Sequence, residues 1–312
     1  MLAAWVMIAS LLFVAGARLV AHDGTWLLVL ANAYTAWSYL PAYFIAAFAG
    51  TTRQWPLMAV AVLVAVAHIA WIAPDFAGRD PLPAGAASAP RLRVVTANLR
   101  ERNEDVSQIF AELKGLSPDI LFLSEYTPAA EATAEAMGLF DAYPYRVRDV
   151  RTTARGTAIF SRYPLEAGET WDVAGVPMTR ATALIGERRV RLYTVHPVSP
   201  TTVTDTHRWN DEHEALLAAL AKEQGDLIVA GDFNMTTQNR WFNNYEDLGL
   251  REQHRACGEG RATTWPNGRR LYPPIRIDHI FASSSFACLR IDEGRGAGSD
   301  HRPIVEDLAI LP

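Results

Sequence analysis

Cysteine, lysine and, over the first 90 positions, charge are all scarce in this sequence, and each shortage excludes something. Two cysteines, Cys257 and Cys288, in 312 residues rule out a disulfide-built miniature domain. They are also too few for a thiolate zinc site, and no His-Glu-x-x-His stretch offers the alternative. Basic residues number 29 against 34 acidic and are nearly all arginine, so the chain lacks the strongly basic surface of a sequence-blind polyanion binder. Residues 1–90 hold three basic side chains, Arg18, Arg53 and Arg79, and three acidic ones, Asp23, Asp75 and Asp80. The net charge of −5 therefore belongs to residues 91–312. An apolar share of 50% with 20% charged residues excludes a disordered chain and a collagen-like fibre.

Three apolar runs, 2–20, 26–48 and 55–72, occupy the space that charge leaves. Each approaches the roughly 20 residues needed to cross ~30 Å of hydrocarbon. Trp26, Trp55 and Trp71 stand at or near run ends, with Tyr43 toward the end of the second, as interfacial rings do. Residues 1–73 are thus expected to form a three-helix transmembrane anchor in the lipid bilayer, making the chain an integral protein of the cell membrane. Arg18 is expected to snorkel and His68 to lie at an interface. A cleaved signal peptide fits worse, because no basic stretch precedes the first run and two further runs follow. Residues 74–90 form an Ala/Pro-rich linker whose part from Pro81 to Pro90 reads as an extended tether. The positive-inside count is nearly tied, leaning to a cytoplasmic domain; the tether and the two cysteines beyond it lead us to expect an extracytoplasmic one.

Residues 91–312 have the length of one domain. Strands are expected at 92–97, 120–123, 157–160, 190–195, 227–230 and 275–282, and helices at 104–116, 128–138 and 205–224. Their mixed order argues an α/β fold with two layers of sheet.

The informative residues sit where these strands end. Asn98, Glu125, His196, and Asp232 with Asn234 each follow an apolar run, Asp278 lies within the run 275–282, and Asp300 and His301 precede the last apolar segment. In α/β sheets ligands bind at such ends. Singly, each has an ordinary explanation: Asn and Asp cap turns, Glu125 is a solvated carboxylate, and Asp278 pairs with an arginine. Convergence of all eight at one end of the core instead suits hydrolysis of a phosphate ester, with oxygen donors for a hard divalent cation and an Asp–His pair for proton transfer.

The stretches Asn98-Leu-Arg, Ser124-Glu-Tyr, Gly231-Asp-Phe-Asn, Arg276-Ile-Asp-His-Ile-Phe and Gly298-Ser-Asp-His-Arg-Pro resemble the endonuclease/exonuclease/phosphatase superfamily with its deoxyribonuclease I-like fold. The resemblance spans nearly all of residues 91–312. It implies a four-layered α/β sandwich, two mixed β-sheets packed face to face with helices outside, and Mg²⁺-dependent cleavage of phosphate esters, with Mn²⁺ as a substitute. It implies Glu125 as main metal ligand, with Asn98 completing or orienting the shell and Asp300 approaching the ion. It assigns Asp232 to the attacking water, Asn234 to a non-bridging phosphate oxygen, His301 with Asp278 to base or charge stabilisation, and His196 to the phosphate or leaving group. The family's usual Gln before the metal Glu is Ser124 here, and the basic loops that its nucleases use on DNA are not evident, though Arg146, Arg148, Arg151 and Arg155 form a local run. Residues 264–275 look like an aromatic-lined, proline-stiffened loop leading into Asp278.

A membrane-anchored phosphodiesterase of endonuclease type is the expected function. Its substrate is a phosphate ester, a nucleic acid or, alternatively, a phospholipid or sphingomyelin headgroup; an inactive membrane-bound binding module is the remaining alternative. No protein partner is evident.

Overall fold

A computed structural model describes every residue except Arg269 and Arg270, so those two arginines of the 264–275 segment lie outside the described residues. The amino-terminal third contains α1 (Leu2–Ala21), α2 (Trp26–Ala33), α3 (Thr35–Ser38), α4 (Leu40–Thr51) and α5 (Trp55–Ile72). Two helices, Leu2–Ala21 and Trp55–Phe76, are long and apolar enough to cross a membrane by length and composition, where the sequence led us to expect three. The middle run breaks at Tyr34 and Tyr39, and Pro41 opens a new helix, α4, whose 12 residues rise only about 18 Å. Polar groups explain the break: Asn32 and Thr35 accept hydrogen bonds from Arg18 at 3.3 and 2.8 Å. Arg18 does not snorkel; it is buried, stacks over Trp71, and also donates to Gln238 at 3.0 Å. Nor is His68 interfacial: it is buried and bonded to the Tyr43 hydroxyl at 2.9 Å.

Residues 74–90 follow the surface of the following domain rather than hanging as a free tether. Asp75 accepts from Thr237 (2.8 Å) and Arg255 (2.8 Å), and Asp80 pairs with Arg251. Asp23, fully buried, accepts the backbone N–H of Arg240 at 2.6 Å, placing a carboxylate at the start of a helix of that domain. The helical segment and the domain are therefore locked together by buried polar contacts.

That domain runs β1 (Arg91–Asn98), α6 (Val106–Leu116), β2 (Ile120–Ser124), α7 (Pro128–Ala136), α8 (Leu139–Ala142), β3 (Tyr145–Asp149), β4 (Thr157–Ser161), β5 (Leu165–Val173), β6 (Val176–Ile185) and β7 (Arg188–Val195). It continues through α9 (Val203–Leu220), β8 (Leu227–Asp232), α10 (Arg240–Asp247), β9 (Arg251–Glu252), α11 (Gln253–Ala256), β10 (Asp278–Ala282), β11 (Phe286–Glu293) and β12 (Ile304–Ile310). Two mixed six-stranded sheets result, in the orders β11-β12-β1-β2-β4-β3 and β5-β6-β7-β8-β10-β9. Leu92, Val94, Ile120 and Phe122 of one meet Val190, Leu192, Ile228 and Ile280 of the other between the sheets. The outer faces are covered by α6 and α7, through Ile109, Phe110 and Ala134, and by α9 and α10, through Trp209, Leu216 and Phe242. Cys257 and Cys288 are joined in a buried disulfide.

Strand β10 begins at Asp278 instead of 275, because Arg276 turns its buried guanidinium to the Gly260 carbonyl (2.8 Å) and Ile275 pairs with Trp265. Strand β5 carries no alternation to read: it is an edge strand with an exposed, charged surface.

Candidate active site

Strand parity brings the site together. Asn98 shares the inward face of β1 with Leu92 and Val94, Asp232 that of β8 with Ile228 and Ala230, and Asp278 that of β10 with Ile280 and Ala282. Because β8 and β10 are antiparallel with Asp232 opposite Asp278, the end of one and the start of the other meet. Gly231 makes this possible: its φ is +148°, and a Cβ there would stand 2.0 Å from the Val195 carbonyl oxygen of the neighbouring strand.

Asn98 is the hub, donating to Glu125 Oε1 at 2.9 Å and to Asp232 Oδ2 at 3.0 Å, while its own oxygen accepts the Arg100 N–H at 2.9 Å. Its amide thereby holds two carboxylates together. Glu125 and Asn234 both have φ in the left-handed region, +58° and +48°, a conformation non-glycine residues adopt at a cost and which clusters at functional sites. Glu125 is held there by the Asn98 amide and the Glu101 N–H. Asn234 is held by its N–H to Asp232 (2.9 Å) and by its amide, which donates to the Pro197 carbonyl (2.9 Å).

His301 Nδ1 lies 2.9 Å from Asp278 Oδ2 and its Nε2 3.7 Å from Asp232 Oδ2. His196 Nε2 approaches the same Asp232 oxygen at 3.6 Å and Glu125 Oε1 at 4.0 Å. Burial opposes charge on His301, yet Asp278 and Asp232 together hold its imidazole up at about 10, so it is a cation at neutral pH. Burial and the Asp278 carboxylate push Asp232 up to about 6, in the range of a base that works near neutrality. Ligand atoms of Asp232, Asp278 and His301 all lie within 4.8 Å of one another. Asp300 Oδ1 stands 3.8 Å from Arg100 Nε.

The supporting residues were less visible in the sequence. Thr264 Oγ accepts the Asp278 N–H at 3.3 Å, and Ser299 accepts the His301 N–H at 3.0 Å while donating to the Asn98 carbonyl at 2.7 Å. Ser299 lies inside the Gly-Ser-Asp-His stretch and could have been named from it. His213, on α9, bonds the Phe233 carbonyl (3.1 Å) and the Tyr245 hydroxyl (2.8 Å), bracing the chain between Asp232 and Asn234. Of the arginine run, Arg148 and Arg151 pair with Glu131 and Asp149, and Arg146 bonds carbonyls of residues 140 and 143. Arg155 instead lines a cavity of about 1050 Å³ above the site, where it stands 3.7 Å from Glu212. The floor of that cavity is formed by Glu125, His196, Asp232, Asn234 and His301.

Residues 95–301 match the Endonuclease/Exonuclease/phosphatase family, and the chain belongs to it. No curated protein matches the sequence. Similar solved structures include an endonuclease/exonuclease/phosphatase from Beutenbergia cavernae, 18% identical, covering 71% of this chain and 72% of that one, at a TM-score of 0.57. TDP2 from D. rerio complexed with single-strand DNA product is 17% identical over 70% of this chain and 98% of its own, at 0.57. The 3′ phosphatase NExo from Neisseria, bound to a product DNA hairpin, is 21% identical over 69% and 98%, at 0.54. At these identities the likeness is one of fold.

Proposed function

We propose that the chain is a metal-dependent hydrolase of phosphate esters, of phosphodiesterase type, held at a membrane by its amino-terminal helices with the disulfide-bearing domain on the extracytoplasmic side. One observation carries the reading: a buried carboxylate with a raised pKa, Asp232, stands beside a buried imidazolium, His301, at the floor of an open cavity.

The donor set fits a hard cation, since Glu125 and Asp232 are drawn together by one amide, and the groups beside them are imidazoles and carboxylates with no thiolate. Glu125 would hold Mg²⁺, with Mn²⁺ as substitute, oriented by Asn98; Asp300 sits beside Arg100, whose N–H fixes Asn98. Such an ion supplies charge neutralisation at the phosphate. Asp232 takes the proton of the attacking water. His301, pinned by Asp278 and with its imidazole pushed up by the two carboxylates, stabilises negative charge building on the phosphate. Asn234 holds a non-bridging oxygen, and His196 faces the phosphate or the departing group.

Neighbours bound to DNA products favour a nucleic-acid ester; a lipid headgroup is the alternative, for which a position at a membrane would raise the local substrate concentration. The reading is tested with the full-length protein and methyl p-nitrophenyl phosphate, with Mg²⁺ or EDTA. Release of p-nitrophenolate that EDTA and Glu125→Gln both abolish is expected. Turnover indifferent to EDTA refutes it.

A further inference from the structure

The wall of the catalytic cavity is not built by the catalytic domain alone. One part of it is lined by Leu30, Ala33, Tyr34 and Trp37 of α2, the α2–α3 connection and α3, the stretch in which the middle apolar run broke. Another part is lined by Trp265 and Ile275 from the loop leading into Asp278. The two parts are tied by the Trp37 indole, which donates to the Pro274 carbonyl at 3.0 Å, and α2 is seated through Val29, buried in the α9–α10 core. At about 1050 Å³ the cavity is at the upper end of small-molecule sites, larger than a phosphate and its leaving group require. Beyond the floor its lining is mostly apolar, with Ser38, Arg155, Ser199 and Thr201 among it. Among the described lining residues the cations are His301, held by Asp278 and Asp232, and Arg155, already facing Glu212, whereas a nucleic-acid backbone calls for several unpaired cations.

We infer that residues 30–37 form a binding site for the apolar chain of an amphiphilic phosphate ester, a lipid phosphate whose headgroup lies on Glu125, Asp232 and His301. The inference rests on the hydrolase reading above and narrows its substrate class. It gives the amino-terminal segment a second task. The helices that suit a bilayer also set chain specificity, and the cavity wall is continuous with them, so that a lipid need not leave its apolar surroundings to reach the carboxylates.

The test uses the full-length protein in phosphatidylcholine nanodiscs and a series of n-alkyl p-nitrophenyl phosphates from methyl to dodecyl, which share one leaving group. With about a fourfold gain for each methylene fully buried, kcat/KM is expected to rise by at least 100-fold between methyl and octyl, allowing for partial burial. Ala33→Trp, which fills the cavity, and Leu30→Asp, which charges its wall, are expected to flatten that rise by at least tenfold while leaving the methyl ester unchanged. Neither residue belongs to the catalytic set. Chain-length independence with Mg²⁺-dependent turnover intact overturns the inference and spares the hydrolase reading. Absence of turnover on every ester counts against the hydrolase reading alone, because calorimetry of n-dodecyl phosphate against inorganic phosphate judges the apolar site separately; there, equal affinities overturn it. Preferential cleavage of a single-stranded oligonucleotide, unaffected by either substitution, also overturns it.

Discussion

Asp278 and His279 are adjacent on β10 and serve opposite ends. Asp278 faces the space between the sheets, where it meets His301 beneath an open cavity. His279 faces the other side, where it joins Glu252, His254 and Arg276 in a second buried ionic cluster. In that cluster Glu252 is sealed from solvent and meets His254 at 3.3 Å, His279 at 3.2 Å and Arg276 at 3.4 Å. Burial favours its neutral form, but Arg276 and the two imidazoles outweigh burial and hold the carboxyl well below its usual range. At the other end burial, and then the Asp278 carboxylate, outweigh the two imidazoles, and Asp232 rises. The comparison teaches that composition does not separate a working cluster from a structural one; charge balance and access do.

Four measurements sharpen or break this contrast. The largest effect is expected for His301→Ala, which should lower kcat per folded molecule by about 1000-fold, whatever stability is lost by stripping the partner from the buried Asp278 and Asp232. A collapse in stability with activity per folded molecule intact would reverse the assignment of the two clusters. Glu252→Gln should do the opposite, costing about 3–5 kcal/mol in denaturant titrations and leaving turnover within about twofold, since it strips one partner from a buried charge set. Because the Glu252 carboxyl is depressed in the fold, its contribution is present above the unfolded value near pH ~4.3 and lost as pH falls through the folded one. The gap between wild type and variant should therefore be constant from neutrality down to mildly acidic pH and narrow in stronger acid.

Third, kcat/KM should climb about tenfold between pH 5 and pH 7, with a midpoint close to that of Asp232, as the base loses its proton. A rise centred a full unit or more away would assign the base elsewhere. The smallest effect concerns Glu306, buried between the sheets with neither carboxyl oxygen hydrogen-bonded among the described residues. Burial first, and then the Glu252 and Asp307 carboxylates, push it well above the usual carboxylate range. A raised carboxyl favours the fold below its unfolded pKa and loses that advantage as pH rises. Glu306→Leu should thus add about 1–2 kcal/mol at pH 8 and less at pH 5, checked by melts at the two values. No gain at either pH would mean that this carboxyl has a partner.

How much was legible follows from the range of each signal. Asn98, Glu125, His196 and Asp232 could be read because each stands where an apolar run stops and a polar residue takes over, and Asp278 and His301 because each is an ionisable residue inside or just before such a run. Glu252, His254 and His279 gave no such signal, being buried polar residues whose only justification is one another. The breaks at Tyr34 and Tyr39 escaped for a related reason. A hydropathy run counts apolar residues and ignores whether Asn32 and Thr35 have a partner, and theirs is Arg18 from another helix.

The sequence by itself determined the two apolar ends of the helical segment, the strand-end residues and the family to which they point, because alternation, run length and local spacing are properties of neighbouring residues. Tertiary structure alone decided that Asp232, Asp278 and His301 meet, that the Asp232 carboxyl and the His301 imidazole are both pushed up, and that Leu30, Ala33, Tyr34 and Trp37 line the cavity above them. Those outcomes depend on burial and on charges brought within about 4 Å from distant parts of the chain, where the low-dielectric interior makes a shift of several pKa units possible.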